Sequence, residues 1–259
     1  MDISAQRELA RLLGQLRREG RPQSGLDARL VPPNSATAYR VAAIVAEELG
    51  WPVVGWKIAA FKEEMQKALR TDAPIYGRTF SVKPSPLSVA HAKLASPIPE
   101  VEYQAKLGAD LPPRARPYSV EEVTEAVASL HPGIELAECR FVHDAAFPPL
   151  PAILADGAGA GTIVYGPAIA DWKTRDIAGQ EVTLSSNGKL RRKGTAAEAL
   201  DHPIVPVTWL ANELSRTGVG LKAGQMISTG TLTGMLAPKP GETYLADFGP
   251  FGSVQLSFT

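Results

Sequence analysis

An α+β organisation follows from three features of the 259-residue chain. Two amphipathic helical stretches open it, short β-patterned segments dominate after about residue 85, and the strict strand–helix alternation of a parallel sheet is missing. On this reading an N-terminal helical region, residues 1–85, precedes a β-rich domain, residues 86–259.

Leu9, Leu12, Leu13 and Leu16 stand at i, i+3, i+4 and i+7, so residues 4–19 form a helix with Arg and Glu on its solvent side. Ser35 is placed to cap a second helix that Gly50 ends, with Val41, Ile44, Val45 and Leu49 inward. Residues 53–59 are apolar and short, hence a strand, and residues 62–69 form a short helix. Strands at 98–107 and 134–141 flank a helix opened by the capping box of Ser119 and Glu122, with Val123, Val127 and Leu130 as its inner face. Strands follow at 162–165 and 182–185; Asn187-Gly188 makes a type I′ hairpin turn into a strand at 189–192. A helix over 203–214 precedes strands around Met226, Tyr244 and residues 254–258.

Composition excludes several functions. Lys plus Arg and Asp plus Glu both number 27, leaving no basic excess for a phosphate backbone, so no nucleic-acid partner is expected. Cys139 is the only cysteine, which rules out an internal disulfide and a multi-thiolate zinc site and fits a cytoplasmic protein. No run approaches ~20 apolar residues, so no membrane association is expected. The four histidines lack H-x-x-x-H spacing. Residues 157–161, Gly-Ala-Gly-Ala-Gly, look like a dinucleotide loop, but a strand pattern follows where the helix should start.

Glu100 and Glu102 lie two apart on a strand and leave from one face. Two carboxylates in one space repel unless a hard divalent cation neutralises them, and Glu135 on the next strand offers a third ligand. The E-x-E pattern fits a solvent-facing strand equally well. Lys57 sits in the apolar run of residues 53–59. Burial there would lower its pKa and permit proton transfer near neutral pH, whereas an edge-strand lysine would reach water. Cys139, beside Glu138 and Arg140, reads as a packed thiol.

Taken together, Gly55-Trp56-Lys57-Ile58, Pro99-Glu100-Val101-Glu102-Tyr103, Gly133-Ile134-Glu135-Leu136-Ala137-Glu138-Cys139-Arg140, His202-Pro203 with Trp209-Leu210-Ala211, Ser228-Thr229-Gly230-Thr231 and the Gly249-to-Val254 end make a pattern. It resembles the 2-keto-4-pentenoate hydratase and 4-oxalocrotonate decarboxylase family of the fumarylacetoacetate hydrolase-like superfamily, nearly end to end. The resemblance implies a helical region packed on a mixed β-roll and homo-oligomers, with a possible complex with another enzyme of the pathway. It implies Mg²⁺ or Mn²⁺ on Glu100, Glu102 and Glu135, Lys57 as proton donor or acceptor, and the Gly230-Thr231 turn holding the carboxylate of a 2-oxo or 2-hydroxydienoic acid. Such enzymes act in meta-cleavage breakdown of aromatic compounds. The implied activity is hydration, with decarboxylation as the alternative; an acylpyruvate-type C–C hydrolase and a non-catalytic partner subunit are further ones. The chain departs from the hydratase pattern at Pro74-Ile75-Tyr76-Gly77, where Ile75 stands in place of a proton-carrying Asp, and at residues 156–159, Asp-Gly-Ala-Gly in place of Asp-Asn-Ala-Ser.

Overall fold

The first helix forms as α1 (Ile3–Glu19), capped by Asp2 and closed by Gly20 in the left-handed conformation. Helix α2 (Ser35–Leu49) begins one residue earlier in its cap than expected: Asn34, not Ser35, is the N-cap, its side chain accepting from the Thr37 N–H. These elements belong to a computed structural model that describes residues 1–259. Strand β1 (Gly55–Ala59), helix α3 (Glu63–Leu69), and strands β2 (Ile75–Thr79), β3 (Ser81–Pro84) and β4 (Leu87–Val89) follow. The last three were not foreseen, because Pro74, Pro84 and Pro86 interrupt any alternating pattern. Strands β1 to β3 thus fall within the first 85 residues.

Strand β5 (Pro97–Leu107) leads to α4 (Val120–Ala126), whose capping box is formed as expected. Val127 and Leu130 are not on that helix. They open the long strand β6 (Val127–Glu138), because β5 presents backbone groups as far as Leu107 that pair with Val127. Helix α5 (Leu150–Ala155) precedes β7 (Thr162–Tyr165), so a strand does follow the glycine loop. Strands β8 (Val182–Ser186) and β9 (Lys189–Gly194) make the hairpin, with φ of 48° and 76° at Asn187 and Gly188 as a type I′ turn needs. Helices α6 (Ala196–Leu200) and α7 (Ile204–Arg216) and strands β10 (Met226–Ser228), β11 (Thr243–Asp247) and β12 (Ser253–Phe258) complete the chain.

Seven strands in the order β2-β1-β10-β5-β6-β7-β3 form one mixed sheet, and β4-β12-β11-β8-β9 form the second. Along β5, Val101, Tyr103 and Ala105 point into the main core with Ile134, Leu136 and Ile227, where they meet Leu184, Tyr244 and Leu256 of the second sheet. Glu100, Glu102 and Gln104 take the other face by the strand's period of two. A separate core joins Leu9, Leu13, Val41 and Val45 of the first two helices to Cys139, Phe141 and Ala152. No helix is long and apolar enough to cross a membrane.

Two arginines hold this second core in place. The side chain of Arg17, expected on the solvent side of α1, turns inward and is only 7% exposed: its guanidinium donates to the carbonyls of Asp156 and Ala160 and lies 3.6 Å from the Asp156 carboxylate. Arg140 donates to both Asp156 oxygens at 2.7 and 2.9 Å. The acceptors offered by the 156–160 turn, invisible to a helical wheel, compensate the desolvation of both side chains. Burial and the neighbouring Arg140 still pull the Arg17 guanidinium down to about 10.

Candidate metal centre

In the antiparallel register of β5 and β6, Glu100 pairs directly with Glu135, and Glu102 lies two residues along the same face. Ligand oxygens of the three carboxylates come within 4.8 Å of one another. All are buried, Glu135 completely. On the neighbouring strands, Lys57 stands in register with Ser228, and Ser228 with Gln104. The Lys57 ammonium thereby reaches 3.2 Å from Glu135 and 3.8 Å from Glu100.

The environment strains this cluster. Burial, reinforced by Glu135 although opposed by Lys57, pushes the Glu100 carboxyl up to about 7. Burial and the neighbouring Glu135 and Glu100 likewise raise Glu102 well above the carboxylate range. For Lys57, burial acts to lower the pKa as the sequence suggested, but Glu135, Glu100 and Glu102 outweigh it and hold the ammonium above its usual value. Burial without snorkelling is the arrangement found, with Lys57 3% exposed.

A divalent cation fits these residues on two counts. Three carboxylates and one ammonium carry a net charge of −2 when ionised, which such an ion would cancel. Both Glu135 oxygens are also buried with no hydrogen bond aligned on them, the Lys57 ammonium at 3.2 Å being the nearest cation, so their lone pairs remain open to an ion. Glu102 is oriented by others: its Oε2 accepts from Ser228 Oγ at 2.6 Å and from the Gly230 N–H at 2.7 Å. Gln104 Nε2 in turn donates to Ser228 Oγ at 2.9 Å. Gly230 holds φ of 115°, a conformation that side chains avoid, which aims its N–H at Glu102. From sequence, Ser228 stands out only as part of the Ser228-Thr229-Gly230-Thr231 motif, and Gln104 not at all. Gln104 was within reach of sequence, being two residues beyond Glu102 and hence on the same face.

Lys57 and Glu100 form one wall of a cavity of about 480 Å³, which Ile75, Gly230 and Thr231 also line. Ile75 is directly cross-strand from Ala59 and therefore neighbours Lys57 on the same face. Thr231 is half-buried, its hydroxyl turned to the Gly234 carbonyl at 3.4 Å. Ala158 of the glycine loop touches the same cavity. The loop comes this close because residue 77 is glycine; a Cβ there would lie 1.8 Å from the Gly157 carbonyl oxygen. The four histidines and Cys139 lie outside the cavity lining.

The chain is similar to several enzymes of known name. It is 30% identical to the 2-keto-4-pentenoate hydratase of Paraburkholderia xenovorans (strain LB400), over 97% of this chain and 94% of that one. It is 28% identical to the 4-oxalocrotonate decarboxylase of Pseudomonas putida, over 82% and 80% of the two chains. Among solved structures, the 4-oxalocrotonate decarboxylase from Pseudomonas putida G7, complexed with magnesium and adipate, superposes with a TM-score of 0.90 over 100% of this chain and 99% of that one, at 23% identity. That likeness shows a common fold. The fumarylacetoacetate (FAA) hydrolase C-terminal family model matches residues 55–258, and the chain is a member of that family, among relatives named as 2-keto-4-pentenoate hydratases and 4-oxalocrotonate decarboxylase.

Proposed function

We propose that the protein is a metal-dependent lyase that adds water to a 2-hydroxy-2,4-dienoate, the enol of a 2-keto-4-pentenoate-type acid, in meta-cleavage catabolism of aromatic compounds. The observation that carries this reading is the buried trio Glu100, Glu102 and Glu135, held beside Lys57 at the wall of a cavity open to solvent at its mouth. Mg²⁺ or Mn²⁺ bound there would act as a Lewis acid on the α-oxygenated acid and stabilise its dienolate.

The protein's own residues do the rest. Glu102, fixed by Ser228 and Gly230, and Glu135, held only by the Lys57 ammonium at 3.2 Å, supply the oxygens. Lys57 is the cation nearest the ligand trio and moves the proton at the substrate carbon. The Gly230-Thr231 turn orients the substrate carboxylate, and the apolar wall with Ile75 limits entry of bulk water.

Decarboxylation is the second reading, and Ile75 favours it. Water addition profits from a second proton-carrying group beside Lys57, and an isoleucine cannot supply one. Loss of CO₂ needs chiefly the electron sink.

Both readings are tested with Mg²⁺-loaded protein. Ultraviolet loss of 2-hydroxypenta-2,4-dienoate with incorporation of labelled water, abolished by a chelator, is the outcome expected of the hydratase. CO₂ release from 4-oxalocrotonate in its place would transfer the assignment to decarboxylation. Neither reaction, with metal demonstrably bound, would overturn the proposal.

A further inference from the structure

Beyond the charged wall of Lys57 and Glu100 the cavity is lined by apolar side chains. These are Phe61, Met65, Leu69, Ile75, Leu232 and Met235, of which Ile75 adjoins Lys57. Two of these, Met65 at 40% and Met235 at 56%, are among the most exposed large apolar side chains of the chain. Helix α3, which carries Met65 and Leu69, buries none of its residues. Apolar side chains held open to water around one cavity gain stability only when something apolar covers them.

The charges at this mouth do not form a receptor for a second carboxylate. Lys193 is already paired to Glu181 at 3.0 Å, and both are well exposed. Lys62 is exposed and stands at the start of α3, and Glu198 lines the same cavity with the opposite sign. Lys57 is engaged by Glu135 and Glu100. Lys62 is thus the one unpaired lysine of the lining and stays solvated at the mouth, so a distal carboxylate deeper among the apolar walls would lose its hydration without a buried cation beside it. A volume of about 480 Å³ also falls within the roughly 300–1,000 Å³ of pockets that enclose drug-sized ligands, more than a five-carbon acid requires.

We infer that this end of the cavity selects substrates with an apolar tail: 2-oxo or 2-hydroxydienoic acids bearing an alkyl or aryl substituent, in preference to diacids. The inference rests on the proposed metal-bound 2-oxo acid site and adds the identity of the tail. Flexible thioethers at Met65 and Met235 suit a tail of variable shape.

Calorimetric titration of the Mg²⁺-loaded protein with saturated, non-reacting 2-oxo acids separates the two ideas. From 2-oxobutanoate to 2-oxohexanoate to 2-oxooctanoate, each added methylene is expected to tighten binding by about three- to fourfold. 2-Oxooctanedioate is expected to bind at least roughly tenfold more weakly than 2-oxooctanoate, because its second carboxylate is desolvated without a partner. Met235→Lys, at an exposed position, should narrow that ratio by giving the diacid a cation. A flat series, or a diacid that binds as well as the monoacid, would overturn the tail assignment while leaving the 2-oxo acid site intact. Failure of every member, pyruvate included, to bind in a metal-dependent manner would overturn both.

Discussion

Replacing Glu135 by glutamine gives the sharpest test of the metal centre, since both oxygens of Glu135 are buried without an aligned donor. With ligand oxygens within 4.8 Å of one another, each carboxylate pair repels by about 3–4 kcal/mol at an effective dielectric constant of roughly 20. Lys57, 3.2 Å from Glu135 and 3.8 Å from Glu100, returns about 4–5 kcal/mol per contact on the same scale. The metal-free cluster is thus close to electrostatic balance. In Glu135→Gln two repulsions and one attraction disappear together, so the metal-free variant should stay within about 2 kcal/mol of the parent. What it loses is the cation. Mg²⁺ at roughly 100 times its Kd stabilises the folded state by about 2.7 kcal/mol, and for a domain of this size that raises the melting temperature by about 5–10 °C.

Differential scanning fluorimetry with Mg²⁺ and with chelator reads both effects: an upward shift in the parent, none in the variant, and similar metal-free melting points. The pH dependence has a defined sign. Burial raises Glu100 to about 7 and raises Glu102 as well, so the cluster's contribution to metal-free stability is present below the ordinary carboxylate pKa and is lost as pH rises through about 7. The Mg²⁺ shift should accordingly be largest near about pH 8 and shrink toward about pH 6, where protons compete for the oxygens. An undiminished Mg²⁺ shift in Glu135→Gln would refute the placement of the ion.

Other perturbations address neighbouring parts of the site. Lys57→Ala removes a positive charge next to the carboxylates, so calorimetry should find Mg²⁺ bound at least as tightly while turnover falls by about 10²–10⁴-fold; unchanged turnover would take Lys57 out of the reaction. Ser228→Ala deletes the 2.6 Å hydrogen bond to Glu102 and should weaken Mg²⁺ by about 10–100-fold in the same titration, while the Gln104 Nε2 it leaves without an acceptor lowers metal-free stability by about 1–3 kcal/mol. Burial and the nearby Asp156 carboxylate push the Cys139 thiol up to about 11. Alkylation of the native protein near about pH 8 should therefore run at least roughly a hundredfold slower than that of the unfolded chain; rapid native labelling would contradict the burial.

The elements that sequence alone determined are those whose signal is local. The leucine spacing of α1, the capping box of α4 and the Asn187-Gly188 turn each record a short-range geometric requirement, and each forms where expected. The shared face of Glu100 and Glu102 belongs to this class too, because alternation along a strand needs no knowledge of its neighbours. Tertiary structure decided everything that depends on which strands meet. Val123, Val127 and Leu130 carry helical spacing, yet the last two are strand residues because the backbone of β5 needs a partner as far as Leu107. Arg17 looks like a solvated helix arginine until the turn at Asp156 surrounds it with acceptors. Lys57 had two open fates, and its burial was settled by a carboxylate trio brought together from β5 and β6. Pairing register and buried charge compensation are energies between residues far apart in the chain, so no local pattern contains them, and at this site they decide whether three glutamates are a solvated surface or a place for an ion.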